Sequence, residues 1–407
     1  MLKRYIPLPT LLIFIAHLCS LGVKLNADTP ANAVATDQPW SIRMAESLMK
    51  RSPEAWAMRP HKGLSEPKWG YTYGLALGAV EAVHQKHGGD PLHSYVKTYV
   101  DQLIDENGAI KDYHIWDFNI DSVNAGKLLF DLYERYDDPR YLKAMQDLRT
   151  QLKWQPTTSE GGYWHKRYYP WQMWLDGLYM GAAYQARYAA TFGEPAEAFD
   201  QIVKQFVLIE SKVRDPETGL LYHAWDESKL QLWADPETGL SPHFWSRAMG
   251  WYAMALVDTL EQMPEGHHGI AKLEAILKRL MQALEAHQDD SGLWYQVVDL
   301  PEAKGNYLEA SGTCMFAYAA AKGVRLGYLA NSYQQLAEKA FDGVLAELIT
   351  VDEDGEVHLD GVCGSAGLGG TPHYRDGSFA YYISEPIVRD DAHGVGPFIL
   401  AALELGR

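Results

Sequence analysis

The sequence predicts an all-α protein of the (α/α)6-barrel class, with short β-hairpin loops at one end of the barrel. Six segments combine glycine, alanine and aromatic residues at helical spacing, and several are followed by a turn and a more amphipathic helix. A helix that is apolar all round is buried, whereas an amphipathic helix faces water on one side. The two kinds therefore predict inner and outer helices. No Pro/Ser-rich linker divides residues 40–407, which favours one domain.

The inner helices are marked by a series of residues that recur along the chain. These markers are Tyr73, Asp121, Asp176, Arg247, Gly312 and Gly394. The intervals between markers are long enough for two helices and a loop, but they are too uneven for a regular solenoid. Six inner and six outer helices that close into a ring are therefore predicted. A solenoid of helical hairpins is the alternative.

The loops between the helices share a second pattern. Five of them read as short strands after an acidic or glycine turn: GAIKDYHIWDF, GGYWHKRYY, GLLYHAWDE, GLWYQVVDL and GEVHLDGV. Two DPETGL segments, at 215–220 and 235–240, bracket one of these and predict a β-hairpin. Four loops carry a histidine: His114, His165, His223 and His358. Polar residues on equivalent loops at one end of a ring predict a functional cleft there.

The N-terminus has the pattern of a secretory signal. Lys3 and Arg4 precede an apolar run from Leu11 to Leu21 that is short for a membrane span. We therefore expect a signal peptide over residues 1–27, a catalytic domain over 28–407, export to the periplasm or medium, and no stable membrane anchor. The mature chain would keep Cys314 and Cys363, for which a disulfide and two buried free thiols are both open.

Composition limits the possible partners. The net charge of −17 disfavours nucleic acid and anionic membranes, so an anionic ligand would need a local cluster of basic residues. Tryptophan and tyrosine are abundant, with 13 and 25 copies, and they serve either a large core or stacking on sugar rings. No phosphate loop, dinucleotide fingerprint, GxSxG motif or zinc spacing is convincing, so no cofactor and no metal are expected. His267 and His268 are interpreted as a solvated loop.

Asp121 and Asp176 each open a predicted inner helix, so both should point into the mouth of the ring. A carboxylate at a helix start can be a simple N-cap. Capping does not explain the aromatic and basic neighbours in the segments WHKR (164–167) and HFWSR (243–247). Two carboxylates in an aromatic cleft indicate acid/base chemistry on a carbohydrate, and the flanking cations indicate an acidic sugar.

Three long segments make the chain similar to a known family. They are YPWQMWLDGLYM, HFWSRAMGWYAMAL and GLGGTPHYRDGSFAYYISEPIVRDDAHGVGPF. With them the chain resembles, from about residue 40 to the C-terminus, glycoside hydrolase family 105, the unsaturated rhamnogalacturonyl hydrolases, which are related to the family 88 unsaturated glucuronyl hydrolases. The resemblance implies that Asp176 is the general acid/base and that Asp121 is a second essential carboxylate. The substrate contacts expected with them are Tyr73, His165, Lys166, His223, Trp245 and Arg247.

The resemblance also implies a reaction and a partner. Such enzymes act on lyase products, oligosaccharides that end in a uronate with a C4=C5 double bond, and rhamnogalacturonan, a pectin, is the source expected for this chain. Protonation at C4 and addition of water at C5 would give a hemiketal that collapses and releases the rest of the chain. Two other classes stay open from the residues: an inverting two-carboxylate hydrolase of saturated glycans, and a sugar-binding or isomerase-like barrel without hydrolysis.

Overall fold

Six inner helical segments form a ring in the computed structural model, which describes residues 38–407. The inner segments run from N- to C-terminus in one common direction. They are α2 (Tyr71–His87), α4 (Asp121–Asn124) with α5 (Leu128–Tyr136), α7 (Leu175–Gly177) with α8 (Ala183–Phe192), α10 (Ser246–Gln262), α12 (Ala310–Arg325) and α15 (Ala392–Leu405).

Six outer helices alternate with these along the chain. They are α1 (Trp40–Arg51), α3 (Asp90–Asp101), α6 (Pro139–Trp154), α9 (Ala196–Val213), α11 (Ile270–Glu285) and α13 (Ser332–Glu347). A further short helix, α14 (Phe379–Ser384), lies in the loop before α15. The outer helices keep exposed polar faces and bury an apolar stripe, as in α9, where Phe199, Ile202 and Phe206 are buried. The predicted alternation of inner and outer helices is confirmed.

Contact between the last inner helix and the first closes the ring. α15 packs along α2, and each remaining inner segment packs against its neighbours on both sides. The helices approach closely because glycine faces the contact: a Cβ atom on Gly74 would lie 2.6 Å from Ala125 Cα, and one on Gly396 would lie 3.2 Å from Ala76 Cα. Closure excludes the solenoid alternative and confirms the (α/α)6 barrel.

Two inner segments are not regular α-helices. A 3-10 turn, Ala125–Lys127, joins α4 to α5, and a π-helical stretch, Leu178–Ala182, joins α7 to α8. π-Helical turns interrupt the regular i→i+4 hydrogen bonding and are frequent at functional sites. Both irregular segments directly follow the turns that carry Asp121 and Asp176.

Three small antiparallel sheets connect the loops. β1 (Gln172–Trp174) pairs with β2 (Ala224–Asp226), β3 (Trp294–Tyr295) with β4 (Leu308–Glu309), and β5 (Ile349–Val351) with β6 (Val357–Leu359). Strands therefore form in three of the five predicted loops. The loops GAIKDYHIWDF and GGYWHKRYY form only isolated bridges in the described structure.

The hairpin predicted between the two DPETGL segments is wrong in its pairing. β2 pairs with β1 from the preceding loop, with Gln172 opposite Asp226, and only a single bridge joins Trp225 to Leu240. The physical reason is that each DPETGL segment closes on itself. The Asp215 carboxylate accepts from the backbone N–H of Thr218, and Asp235 accepts from Thr238 in the same way.

Two further expectations concern the termini and the thiols. The expected signal peptide over residues 1–27 lies outside the described residues. Cys314 and Cys363 are both buried and both free, so the free-thiol alternative holds in the structure. Within residues 38–407, no helix combines the length and the apolar composition that a membrane crossing requires.

Candidate active site

The N-terminal ends of the inner helices meet at one end of the ring and form a cleft. Asp121 is the first residue of α4, Asp176 lies in α7, and Arg247 and His393 are the second residues of α10 and α15. Because the inner helices run in the same direction, all four side chains lie at the same end. The site is thus assembled from helices that are far apart in sequence, as the positions of the markers predicted.

Neither aspartate acts as a helix cap. Trp174 is the N-cap residue of α7 and Ile120 that of α4, and no side-chain cap hydrogen bond is formed at either helix. Asp138, by contrast, is a true N-cap whose carboxylate accepts from the backbone N–H of Arg140. The capping interpretation of Asp121 and Asp176 is therefore excluded, and their positions need another explanation.

Asp121 is bound on both oxygens by basic side chains. Its Oδ1 lies 3.1 Å from His165 Nε2, and its Oδ2 lies 2.5 Å from Lys166 Nζ. Burial alone would raise the pKa of Asp121, but the charge of Lys166 and the contact with His165 outweigh burial and hold the pKa well below its usual range. Asp121 is consequently ionised at neutral pH and does not act as a proton donor.

Asp176 has a different environment. Its Oδ2 is buried and lies 3.2 Å from His223 Nε2, without the geometry of a hydrogen bond. The other ring nitrogen of His223, Nδ1, lies 2.9 Å from the hydroxyl oxygen of Tyr382. Within residues 38–407, no lysine or arginine nitrogen lies within 4.0 Å of the Asp176 carboxylate. Of the two aspartates, Asp176 is thus the one that has no lysine or arginine partner in the described structure.

Stacked rings line the cleft around both carboxylates. The Trp174 ring stacks on His165 with 4.7 Å between centroids, and Tyr169 stacks on Trp174 at 5.1 Å. On the other side of His223, the Trp245 ring lies at 4.9 Å. Trp174 and Trp245 are only 5% and 1% exposed, so these two rings pack behind the acid groups and hold His165 and His223 in place.

A cavity of about 440 Å³ opens beside Asp121. Its lining includes the basic residues Arg59, Lys62, Lys68 and Lys166, whereas Asp121 is its one acidic residue in the described structure. A volume of this size fits a small ligand. The excess of positive charge in a chain of net charge −17 makes this cleft the kind of local basic cluster that an acidic ligand requires.

The expected substrate contacts fall into two groups. The structure brings His165, Lys166, His223 and Trp245 to the two aspartates, as described above. Arg247 has internal partners instead: its side chain is 1% exposed, and its Nη1 donates to Ser311 Oγ at 3.1 Å and to the carbonyl oxygen of Cys363 at 2.5 Å. The buried carboxylate of Glu309 lies 3.8 Å away and compensates the charge.

Tyr73 is also held by an internal partner. Its hydroxyl donates to the carbonyl oxygen of Trp56, and its ring stacks on Tyr99. Tyr71, two residues earlier, was not predicted as a site residue, yet it begins α2 and lines the cavity beside Asp121. Burial raises the pKa of Tyr71, so its hydroxyl stays protonated. Tyr71 could have been predicted from its position, because it is the first residue of α2 just as Asp121 is the first residue of α4.

A buried chain of polar groups supports Tyr71. Its hydroxyl oxygen lies 2.9 Å from His393 Nε2, His393 Nδ1 lies 2.7 Å from Asp391, and Arg59 Nε donates to Asp391 at 3.1 Å. Burial, with help from the nearby arginines, lowers the pKa of His393 to about 3, so its ring is neutral at physiological pH. The sequence feature that could have indicated this buried chain is the segment DDAHG at the start of α15, where an N-cap aspartate is followed two residues later by a histidine.

Two histidines singled out from the loops lie elsewhere. His114 is exposed, and His358 pairs with Asp390 and Asp352. Neither contacts Asp121 or Asp176.

The described structure contains two clusters outside the cleft whose side chains lie close enough together to hold a metal ion. The first is Glu81 with His84 and His93, and the second is Asp200 with His267 and His268. The first is an internal hydrogen-bonded group, because His93 contacts both Glu81 and Tyr136. In the second, His267 Nδ1 accepts from the N–H of Gly269, which places the proton of the neutral ring on Nε2, the nitrogen that faces Asp200. A protonated nitrogen is not a metal ligand.

A closed (α/α)6 barrel with two differently paired carboxylates and a basic cleft is an arrangement that suits an enzyme acting on an acidic carbohydrate. Comparison with known proteins gives the particular family. The model of Glycosyl Hydrolase Family 88 matches residues 40–407, and the chain belongs to that family.

Individual relatives agree with this assignment. A family 105 glycoside hydrolase from C. acetobutylicum ATCC 824 is 45% identical, with a TM-score of 0.86 over 91% of this chain and 99% of that one. The unsaturated rhamnogalacturonyl hydrolase YesR of Bacillus subtilis is 26% identical over 71% of this chain and 78% of its own length. Protein Atu3128 of Agrobacterium fabrum is 42% identical over 55% of this chain and 97% of its own.

Proposed function

We propose that the protein removes the unsaturated 4-deoxy-4,5-ene uronic acid from the non-reducing end of lyase-generated oligosaccharides, by hydration of the C4=C5 bond. The name of the relative YesR supports this substrate class and favours rhamnogalacturonan, a pectin, as the source. The observation that carries the proposal is the unlike pairing of the two carboxylates. Asp121 is held ionised by Lys166, whereas no lysine or arginine of residues 38–407 binds Asp176.

One exchangeable carboxyl group is enough for hydration. Asp176 donates a proton to C4, and a water molecule adds to C5 as Asp176, now a carboxylate, accepts a proton from it. The product is a hemiketal at C5. Its ring opens to a ketone, and the anomeric carbon becomes a hemiacetal that expels the remaining saccharide. The reaction consumes one water molecule for each glycosidic bond that is cleaved, and Asp176 returns to the protonation state in which it started.

Asp121 has a different part in this scheme. Its ionised carboxylate is fixed by His165 and Lys166 and lines the basic cavity that would receive the substrate. A nearby negative charge stabilises the positive charge that develops on the enol ether when C4 is protonated. The basic residues Lys62 and Lys68 in the same cavity offer charge to the uronate carboxylate.

An unsaturated disaccharide made by a rhamnogalacturonan lyase tests the proposal. The conjugated double bond absorbs in the ultraviolet, so hydration is expected to abolish the absorbance while neutral sugar is released in equal amount. The control is the saturated disaccharide with the same linkage, which should be inert. Release of sugar from the saturated compound would instead support an inverting hydrolase with two carboxylates, and sugar binding without any release would support a non-hydrolytic barrel.

We also propose that the protein is exported. Lys3, Arg4 and the apolar run from Leu11 to Leu21 support export. N-terminal sequencing of the protein from its native host should begin between about residues 23 and 36. An intact Met1 on active protein would overturn this proposal without affecting the proposed reaction.

A further inference from the structure

A buried tyrosine, Tyr382, contacts the ring nitrogen of His223 that does not face Asp176. The hydroxyl oxygen of Tyr382 lies 2.9 Å from His223 Nδ1, and His223 Nε2 lies 3.2 Å from Asp176 Oδ2. Both Tyr382 and His223 are fully buried. Two side chains in a row therefore connect the protein interior with the carboxyl group to which the proposed reaction assigns the proton transfers.

The position of Tyr382 is fixed by its surroundings. The residue belongs to the short helix α14, in the loop before α15. Its carbonyl oxygen accepts from Gln296 Nε2 at 3.1 Å, and its ring stacks on Trp245 with 5.9 Å between centroids. Gln296 Oε1 in turn accepts from Trp245 Nε1 at 3.0 Å. These contacts hold the hydroxyl of Tyr382 in place against His223.

The direction of the hydrogen bond follows from the partners of the Tyr382 hydroxyl. Burial raises the pKa of Tyr382 well above its usual range, so the hydroxyl keeps its proton. Among residues 38–407, His223 Nδ1 is the one hydrogen-bond partner of this hydroxyl. A buried donor without an acceptor is costly, so the tyrosine donates and Nδ1 accepts.

This direction decides the tautomer of the histidine. A neutral imidazole carries a proton on one of its two nitrogens. Because Nδ1 of His223 accepts from Tyr382, the proton lies on Nε2, the nitrogen that faces Asp176. Nε2 itself forms no hydrogen bond among residues 38–407, so the contact with Tyr382 is the one that selects between the two tautomers.

The opposite tautomer would interfere with the proposed reaction. With its proton on Nδ1, His223 would present a lone pair to Asp176 from 3.2 Å and would share the proton that the acid has to deliver to C4. With its proton on Nε2, the ring has no free lone pair on this side. It instead presents the positive end of an N–H dipole to the carboxylate that forms once C4 is protonated.

We propose that Tyr382 is a positioning residue that fixes His223 in the Nε2–H tautomer, so that Asp176 delivers its proton to the substrate and does not share it with the histidine. This role in catalysis rests on the proposed function, whereas the tautomer is a property of the substrate-free protein. Because Tyr382 is fully buried, its hydroxyl does not touch the substrate and acts through His223.

NMR of the protein labelled with the heavy nitrogen isotope in its histidine rings measures the tautomer. At about pH 8, where an ordinary histidine ring is neutral, wild-type His223 should carry a proton on Nε2 and none on Nδ1. Its signals are those that His223→Gln lacks. A proton on Nδ1, or on both nitrogens, would overturn the proposal. Should His223→Gln not fold, neutron diffraction from wild-type crystals locates the same proton.

A pair of variants separates the influence of Tyr382 from that of Asp176. In Asp176→Asn the carboxylate is absent, and Tyr382 alone should keep the proton on Nε2 of His223. When Tyr382→Phe is added, the proton should be distributed over both ring nitrogens. Loss of the Nε2–H tautomer in Asp176→Asn alone would show that the carboxylate selects it, and would overturn the proposal.

Tyr382→Phe in the otherwise unchanged protein tests the catalytic consequence. It removes the hydroxyl and keeps the ring that packs on Trp245. With the unsaturated disaccharide, kcat should fall about 10-fold, the effect of one hydrogen bond, while KM stays within a few-fold. An unchanged kcat would overturn the role of Tyr382 in catalysis.

The matched control is Tyr381→Phe, at the neighbouring residue of α14. The Tyr381 hydroxyl accepts from the backbone N–H of Gly367 and forms no hydrogen bond with His223 in the described structure. Tyr381→Phe should therefore keep its kcat, and an equal loss in both variants would indicate a displaced helix and overturn the proposal. A wild-type protein that is inactive on the disaccharide would contradict the proposed function, and the tautomer would still be decided by NMR.

Discussion

Replacement of Asp176 by asparagine separates catalysis from structure at the centre of the site. The substitution keeps the size of the side chain and removes the exchangeable proton. In the structure the carboxylate caps no helix, and its close charged or polar contact is His223 Nε2 at 3.2 Å. We therefore expect a loss of stability below about 1 kcal/mol, the size of one neutral hydrogen bond.

The expected loss of activity is much larger. A general acid or base contributes typically about 10²- to 10⁴-fold, which corresponds to about 2.7–5.4 kcal/mol in the barrier. Asp121 does not replace Asp176, because Lys166 and His165 hold it ionised. Turnover should fall while affinity for the unsaturated disaccharide stays within a few-fold.

The assay follows the ultraviolet absorbance of the double bond at saturating substrate, with binding measured separately by calorimetry. The matched control is Asp138→Asn, at an aspartate that does cap its helix. Asparagine caps as well as aspartate, so Asp138→Asn should keep full activity. Near wild-type turnover by a folded Asp176→Asn protein would refute the acid/base assignment.

Three further predictions follow from the pairing of the buried charges. Asp121→Asn should reduce turnover and lower the pKa of Lys166, because the Asp121 carboxylate is what raises it. The rate at which an amine-reactive reagent modifies Lys166 in the substrate-free protein, followed over a range of pH, measures the shift. An unchanged dependence of this rate on pH would contradict the prediction. Arg247→Ala should lower the free energy of unfolding by about 3–5 kcal/mol, because it leaves Glu309 as a buried charge without its arginine partner. Chemical denaturation measures the change. Unchanged stability in Arg247→Ala would indicate that Arg247 serves only to bind substrate. The wild-type protein should lose stability as the pH falls from about 6.5 towards 3. The His393 ring has a pKa of about 3 in the folded protein and about 6.5 in the unfolded chain, so only the unfolded state binds a proton in this pH range. The melting temperature should therefore drop less between pH 7 and pH 5 in His393→Asn than in wild type, and equal drops would argue against the assignment.

Arg247, expected from the sequence as a substrate contact, has a position that the sequence predicted and partners that it did not. The residue was placed correctly at the start of an inner helix. Its charge, however, is compensated by Glu309, a residue that no spacing pattern connected with it. Pairing between side chains on different helices depends on the angle and depth at which the helices pack, and these are not encoded in the local period of the sequence.

The choice between Tyr73 and Tyr71 has a similar cause. Both tyrosines lie in the first turn of α2, and the composition of this turn does not distinguish them. On a helix, residues two positions apart point to opposite sides. Both rings border the cavity beside Asp121, and only tertiary packing decided that the Tyr73 hydroxyl is bound to the carbonyl of Trp56, whereas the Tyr71 hydroxyl meets His393.

The sequence by itself determined the alternation of inner and outer helices, the residues that open them and the aromatic cleft around Asp121 and Asp176. These features arise from periodicity and composition within short segments, which local physics is sufficient to set. Only the tertiary structure decided that the ring closes, and that Lys166 pairs with Asp121 while no lysine or arginine of residues 38–407 reaches Asp176. Each of these depends on the distance between groups on separate helices, and a linear pattern contains no such distance.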